Sequence, residues 1–173
     1  MPRNSIPFYS IMPTIRLTIP SDTPALLAIT TGTGVFQPYE VETLEEVLAD
    51  YHREGEEYGH LSYTFLEGDA ILGFVYLAPV AMTDRTWELW WIVVDLAMQG
   101  KGLGSMLLSL AENLVRRQLG RVLFIETSSL PHYAPTRKFY LKHGYKQAAT
   151  LPDYYAEGDD KVIFHKAIEP LIA

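Results

Sequence analysis

The 173-residue sequence contains no cysteine, which excludes disulfide cross-links, thiolate metal ligands and a cysteine nucleophile. No apolar run reaches the roughly 18 residues that a membrane-spanning helix needs. The opening MPRNSIPFYSIMP also lacks the hydrophobic centre of a signal peptide, so a cytoplasmic protein with no membrane partner is the expectation. Basic residues are scarce: 14 Lys and Arg stand against 21 Asp and Glu, and a formal charge of −7 argues against a broad nucleic-acid surface. The histidines His52, His60, His132, His143 and His165 are dispersed without metal-ligand spacing, so no metal is expected.

What is present is the composition of an ordinary globular domain, 48% hydrophobic and 20% charged, at a length suited to one core. Pro2, Pro7 and Pro13 mark residues 1–13 as an irregular arm, leaving 14–173 as the domain. Thr14 to Ile19 alternates in the manner of an edge strand, and Asp22, Thr23 and Pro24 supply the cap and first turn of a short helix. Thr30 to Pro38 is a glycine-broken connector, after which Thr43 and Glu46 form a capping box for a second helix with Leu44, Val47, Leu48 and Tyr51 on its apolar face. Leu61–Leu66 and Ala70–Leu77 flank the turn Glu67-Gly68-Asp69 as a hairpin. Near the end, Tyr145–Thr150 and Lys161–Lys166 form another, separated by the polar stretch LPDYYAEGDD, with Val162 and Phe164 on one face and Ile163 and His165 on the other.

The chain is organised around Trp87 to Gly120. An apolar strand ending in Trp91, Ile92, Val93 and Val94 runs into a loop with Gly100, Gly102 and Gly104, and then into a helix whose Leu103, Leu107, Leu110, Ala111 and Leu114 recur at helical spacing. Free amides at such a helix start, with the positive end of its dipole and Lys101, suit a phosphate or pyrophosphate. Arg116, Arg117 and Arg121 lie on the polar side or end of that helix and are further candidates for a phosphate contact. The spacing does not give a P-loop. It fits a dinucleotide fingerprint poorly, because Ser105 stands at the third glycine position and Gly120 and Arg121 stand where an acidic residue belongs. Strands, a helix between the central strand and the next (Val122–Glu126), another helix with Pro135 near its start and Gly144 just beyond its end, and a closing hairpin imply a mixed α/β sheet.

Gln99-Gly100-Lys101-Gly102-Leu103-Gly104 resembles the Gln/Arg-x-x-Gly-x-Gly/Ala signature of the GCN5-related N-acetyltransferases (GNAT), and YAPTRKFYLKHGY, Tyr133 to Tyr145, resembles the family's aromatic helix. The resemblance covers roughly Thr14 to Lys166. It implies a single-domain mixed sheet, flanked by helices and splayed after its central strand, with acetyl-CoA as acyl donor. Its pyrophosphate is expected on Gln99 to Ser105, and its pantetheine arm along Ile92, Val93 and Val94 and near Tyr133 and Thr136, while Arg137 and Lys138 are candidates either for its nucleotide phosphates or for the solvated face of their helix. The family often has Asn and Ala where Tyr133 and Thr136 stand, so an Asn contact does not carry over.

The resemblance further implies Tyr140 as the acid that protonates the leaving thiolate. Glu88 is the first candidate for a base, since it shares its alternation phase with Trp90, Ile92 and Val94, and Glu126 at the end of the next strand is the second. Phe36, Gln37, Tyr39, Tyr154 and Tyr155 are the acceptor-side candidates. The implied activity is N-acetylation of a small-molecule amine, amino acid or peptide. Protein N-terminal or lysine acetylation, O-acyl or longer-chain acyl transfer, and a non-catalytic CoA-binding module stay open. A homodimer is compatible with the aromatic content.

Overall fold

The computed structural model describes residues 13–169, so the arm expected over 1–13 lies outside the described residues except for Pro13. Seven strands form one sheet in the order β1-β2-β3-β4-β5-β7-β6: β1 Thr14–Leu17, β2 Leu61–Glu67, β3 Ala70–Pro79, β4 Thr86–Val94, β5 Val122–Ser128, β6 Lys146–Ala156 and β7 Asp159–Ala167. All neighbours are antiparallel except β4 and β5, which α3 (Leu103–Arg117) joins as a parallel pair. The remaining helices are α1 Thr23–Gly32, α2 Pro38–Asp50 and α4 Ala134–Lys142. A mixed α/β sheet flanked by helices is therefore what the chain forms.

The sheet separates two cores. On one side α3 and α4 bury Leu103, Leu107, Leu108, Ala111 and Tyr140 against Val75, Leu89, Leu123, Ile125 and Phe164. On the other, Leu26 of α1 and Leu44 and Leu48 of α2 close over Phe74, Tyr76 and Val93. Each fully buried Leu or Phe contributes about 1.5–3 kcal/mol, which is why the helical stripe of α3 and the alternation of β7 both meet the same interior. Val162 and Phe164 do face that core as their alternation requires.

Two irregularities of the sheet position the site. First, β4 and β5 pair only over Thr86–Leu89 and Val122–Ile125, and then diverge while β4 continues to Val94 and β5 to Ser128. The strands splay as expected, leaving one side of β4 beyond Leu89 without a neighbour. Second, the register with β3 slips between Tyr76↔Trp91 and Leu77↔Leu89, so Trp90 is the extra residue of a β-bulge. The bulge breaks the alternation read from the sequence: Glu88 is in phase with Trp91 and Val93 on the α1/α2 side, whereas Ile92 and Val94 pack toward α3.

Several boundaries differ from the sequence expectation. Helix α2 begins at Pro38, where Glu40 accepts the Gln37 amide at 2.7 Å, and Thr43 donates back to the Tyr39 carbonyl instead of capping. Asp22 does not cap α1. Its carboxylate takes the Arg16 guanidinium at 2.6 and 2.8 Å and the Ile19 amide at 3.0 Å. The polar stretch Leu151–Ala156 extends strand β6, so the closing hairpin turns only at Glu157 and Gly158.

Candidate active site

The glycine loop behaves as its residues require. Gly100 and Gly102 sit at φ +74° and +87°, and an added Cβ at either would meet nothing within 4 Å, so backbone conformation rather than crowding demands glycine. Gly102 caps α3, and the first helical bond runs from the Met106 amide to the Gly102 carbonyl at 3.1 Å. The amides of Leu103, Gly104 and Ser105 therefore have no intrahelical acceptor. Gln99 ties the loop to the strand end by donating to the Val94 carbonyl at 3.3 Å. Leu103 is buried and offers only backbone, the Ser105 hydroxyl bonds His143 Nε2 at 2.9 Å, and Lys101 is exposed at the loop's rim.

The distal arginines do not join this loop. Arg116 and Arg117 lie at the C-terminal end of α3, a helix length of about 20 Å away. Arg116 donates to the Glu169 carbonyl at 2.9 Å, while Arg121 faces Asp84 at 3.5 Å. Arg137 is committed elsewhere too, donating to the carbonyls of Ser128 and Leu130 at 2.6 and 3.0 Å and so tying the end of β5 to α4.

From the loop, a narrow cleft of about 150 Å³ runs between the splayed strands, lined by Ile92, Val93, Val94, Gln99, Thr136 and Tyr140 among others. Tyr140 is 4% exposed, and burial alone pushes its phenol well above the ordinary tyrosine range, so it stays protonated. None of the described side chains or backbone groups hydrogen-bonds its hydroxyl, which leaves that proton free to serve the cleft. A loop with three free amides, whose Gln99 lines a narrow slot, fits a pyrophosphate followed by a thin arm. Those are the features that acetyl-CoA requires of Gly102 to Ser105 and Ile92 to Val94.

Past Leu89, Glu126 and Tyr133 the cleft widens into a cavity of about 520 Å³ on the α1/α2 side. Its floor comes from β4 and β5, and its wall from the α1–α2 connection and α2. Phe36, Gln37, Tyr39, Glu88, Glu126 and Tyr155 all line it. Tyr154 does not. Its ring lies beneath the Lys161 ammonium, 3.7 Å away, and meets Tyr155 edge-on at 5.1 Å.

The bulge sets the acid–base groups. Trp90 and Trp91 both turn toward the cavity. Trp91 packs on Phe36 at 5.3 Å, and Trp90 stacks on Tyr76 at 5.6 Å, where His60 bonds the Tyr76 hydroxyl at 2.6 Å. Held in this way, the Trp90 indole donates to Glu88 at 3.0 Å. Burial pushes the Glu88 carboxyl above the ordinary glutamate range and the Glu126 carboxylate adds to the rise, against the opposing pull of the Trp90 N–H and Lys161. Glu126 meets Lys161 at 2.5 Å. Burial lowers the affinity of Lys161 for its proton, but the Glu126 bond and the Tyr154 contact outweigh it and leave the ammonium above the ordinary lysine range.

Sequence reasoning missed Trp90, Trp91 and Glu40 as cavity residues. Gln37-Pro38-x-Glu40 carried a readable helix start, and would have put Glu40 beside Gln37 and Tyr39. No local signal marks a bulge at Trp90 or brings Asp159 across to β5, where it takes the Ser128 hydroxyl at 2.5 Å.

This architecture recurs in solved structures. A GNAT-family protein of Desulfovibrio desulfuricans is 33% identical, with 91% of this chain and 100% of that one aligned at a TM-score of 0.87. The ribosomal-protein-S18-alanine N-acetyltransferase of Escherichia coli shares the fold at 22% identity, over 94% of this chain and 97% of that one, with a TM-score of 0.74. The yncA protein of Salmonella typhimurium, solved with its cofactor acetyl-CoA, does so at 20% identity, over 93% and 96%, with a TM-score of 0.70. Among curated proteins the sequence has no match. The acetyltransferase (GNAT) family itself matches residues 26–145, well over half the chain and the whole stretch from α1 through the glycine loop and Tyr140. By this match and the relative at 33% identity, the chain belongs to the acetyltransferase (GNAT) family.

Proposed function

We propose that this protein transfers the acetyl group of acetyl-CoA directly to a primary amine of a small molecule. One observation supports the reading: the splay of β4 from β5 opens a cleft that is lined by Gln99 of the glycine loop and by Tyr140 and that shares Leu89, Glu126 and Tyr133 with the cavity of Glu88. Acetyl-CoA, when bound, supplies an acetyl group activated as a thioester. Glu88 takes a proton from the incoming ammonium, directly or through one water, and its raised pKa brings it closer to that task than an ordinary carboxylate. Tyr140 holds its proton at neutral pH and delivers it from the cleft side. Holding the two reactants in a slot and an adjoining cavity supplies the remaining advantage, that of proximity.

Glu126 is the weaker base in this reading because its charge is engaged by Lys161. Tyr39 and Tyr155 line a cavity of about 520 Å³, a volume that supports a small acceptor. The test is thiol release from acetyl-CoA with a panel of small amines, amino acids and short peptides, with acetyl-CoA binding measured on the same sample. Amine-dependent release is expected. Binding without release by any acceptor would overturn the transfer reading, and absence of binding would overturn the assignment of the glycine loop.

A further inference from the structure

The charge of the acceptor cavity goes further than a general affinity for amines. Its lining holds four carboxylates, Glu40, Glu88, Glu126 and Asp159, and no Lys or Arg. The nearest cation, Lys161, is spent on Glu126 and on the Tyr154 ring. The other carboxylates divide into two poles. Glu88 lies beside Glu126 at the mouth of the cleft, where the reacting nitrogen must come. Glu40 and Asp159 line the same cavity from α2 and from the start of β7, the Tyr133 hydroxyl approaches both Glu40 oxygens at 3.4 Å, and both carboxylates add to the rise that burial gives the Tyr39 and Tyr133 phenols.

Neither Glu40 nor Asp159 has a cationic partner among the described residues. Glu40 accepts the Gln37 amide, and Asp159 accepts the Ser128 hydroxyl on Oδ1 while its Oδ2 has no hydrogen-bond partner among the described residues. These two carboxylates, in the same lining as Tyr39 and Tyr133, form a receptor for a second ammonium, with ion pairing and cation–π attraction acting together. A carboxylate on the acceptor would find Glu40, Glu88 and Asp159 without a cationic partner among the described residues and no Lys or Arg in the lining.

Resting on the amine-transfer reading, we propose that the acceptor is an aliphatic diamine or polyamine without a carboxylate, one ammonium reacting at Glu88 while the second is held by Glu40 and Asp159. Three probes that differ by one charged group at a time isolate the two charge effects: pentylamine, pentane-1,5-diamine and lysine, which is that diamine bearing a carboxylate. Each is tested for thiol release, and separately by calorimetry for binding to the CoA-saturated protein. The diamine is expected to exceed pentylamine in kcat/KM by about tenfold or more, the size of one partly buried charge contact, and lysine is expected to fall below pentylamine.

Glu40→Gln keeps the capping geometry of α2, and with Asp159→Asn as a second variant it should bring the diamine-to-monoamine ratio toward one. Equal use of pentylamine and diamine, or lysine as the preferred acceptor, would overturn the proposal, as would an unchanged ratio in both variants. Binding in the order diamine, pentylamine, lysine without any thiol release would sustain the charge preference and overturn amine transfer instead.

Discussion

At the residue scale, Tyr140 and Glu88 stand on opposite sides of the sheet and meet only through the gap between β4 and β5. Tyr140→Phe removes a hydroxyl with no hydrogen-bond partner among the described residues, so folding and acetyl-CoA affinity should hold while kcat drops by about 100-fold. An equal kcat in the folded variant would rule out the acid role. For Glu88 the sign is set by its raised pKa. The group must be ionised to accept a proton, so kcat/KM should rise with pH along a limb lying above the ordinary glutamate range, and Glu88→Gln should lower activity and abolish that limb. The same shift makes ionised Glu88 a cost to the fold once pH exceeds its folded pKa. The melting temperature of Glu88→Gln relative to the parent should thus increase between about pH 4 and about pH 7, and a difference that stays flat or reverses would contradict the burial argument.

At the element scale, the strand–loop–helix unit was legible because every one of its signals is local: an apolar run, glycines forced to positive φ, and a stripe at helical period. Gly102 and Gly104 separate the reasons for glycine. Gly102→Ala forces a Cβ into the left-handed region and should cost about 1–2 kcal/mol, weakening acetyl-CoA binding with it. Gly104 is helical, and its Cβ would meet the Phe139 ring at an ordinary 3.6 Å, so Gly104→Ala should hold or gain stability by about 0.5–1 kcal/mol in a denaturant titration. Comparable losses in both would mean that crowding, not backbone conformation, selects these residues.

What the sequence concealed was non-local. The bulge at Trp90 depends on how β3 and β4 align, and it alone turns Glu88 and Trp91 to the same side while sending Ile92 and Val94 to the other. Glu88 was therefore found on an alternation that does not run through the strand. Arg116 and Arg117 shared a helix with the loop yet sit at its far end, and Arg137 was already needed by the carbonyls of Ser128 and Leu130.

At the scale of the whole molecule, the sheet consists of two parts, β1 to β4 and β5 to β6, joined edge to edge by only four residue pairs, Thr86–Leu89 with Val122–Ile125. The core beneath α3 holds the parts together, but past Leu89 the facing edges of β4 and β5 have no strand between them. On the proposed reading, a donor lying in that gap would take the place of the missing pairing and border the loop, the strand and α4. Its binding should stabilise the fold by about 2.7 kcal/mol at a hundredfold excess over Kd. In hydrogen exchange the new protection should fall on residues 90–94 and 99–105 and not on the closing hairpin of β6 and β7, because only the former border the gap and the free amides of α3. Protection spread evenly over the sheet, or confined to the hairpin, would place the donor elsewhere and remove the splay from its role as the path between Tyr140 and Glu88.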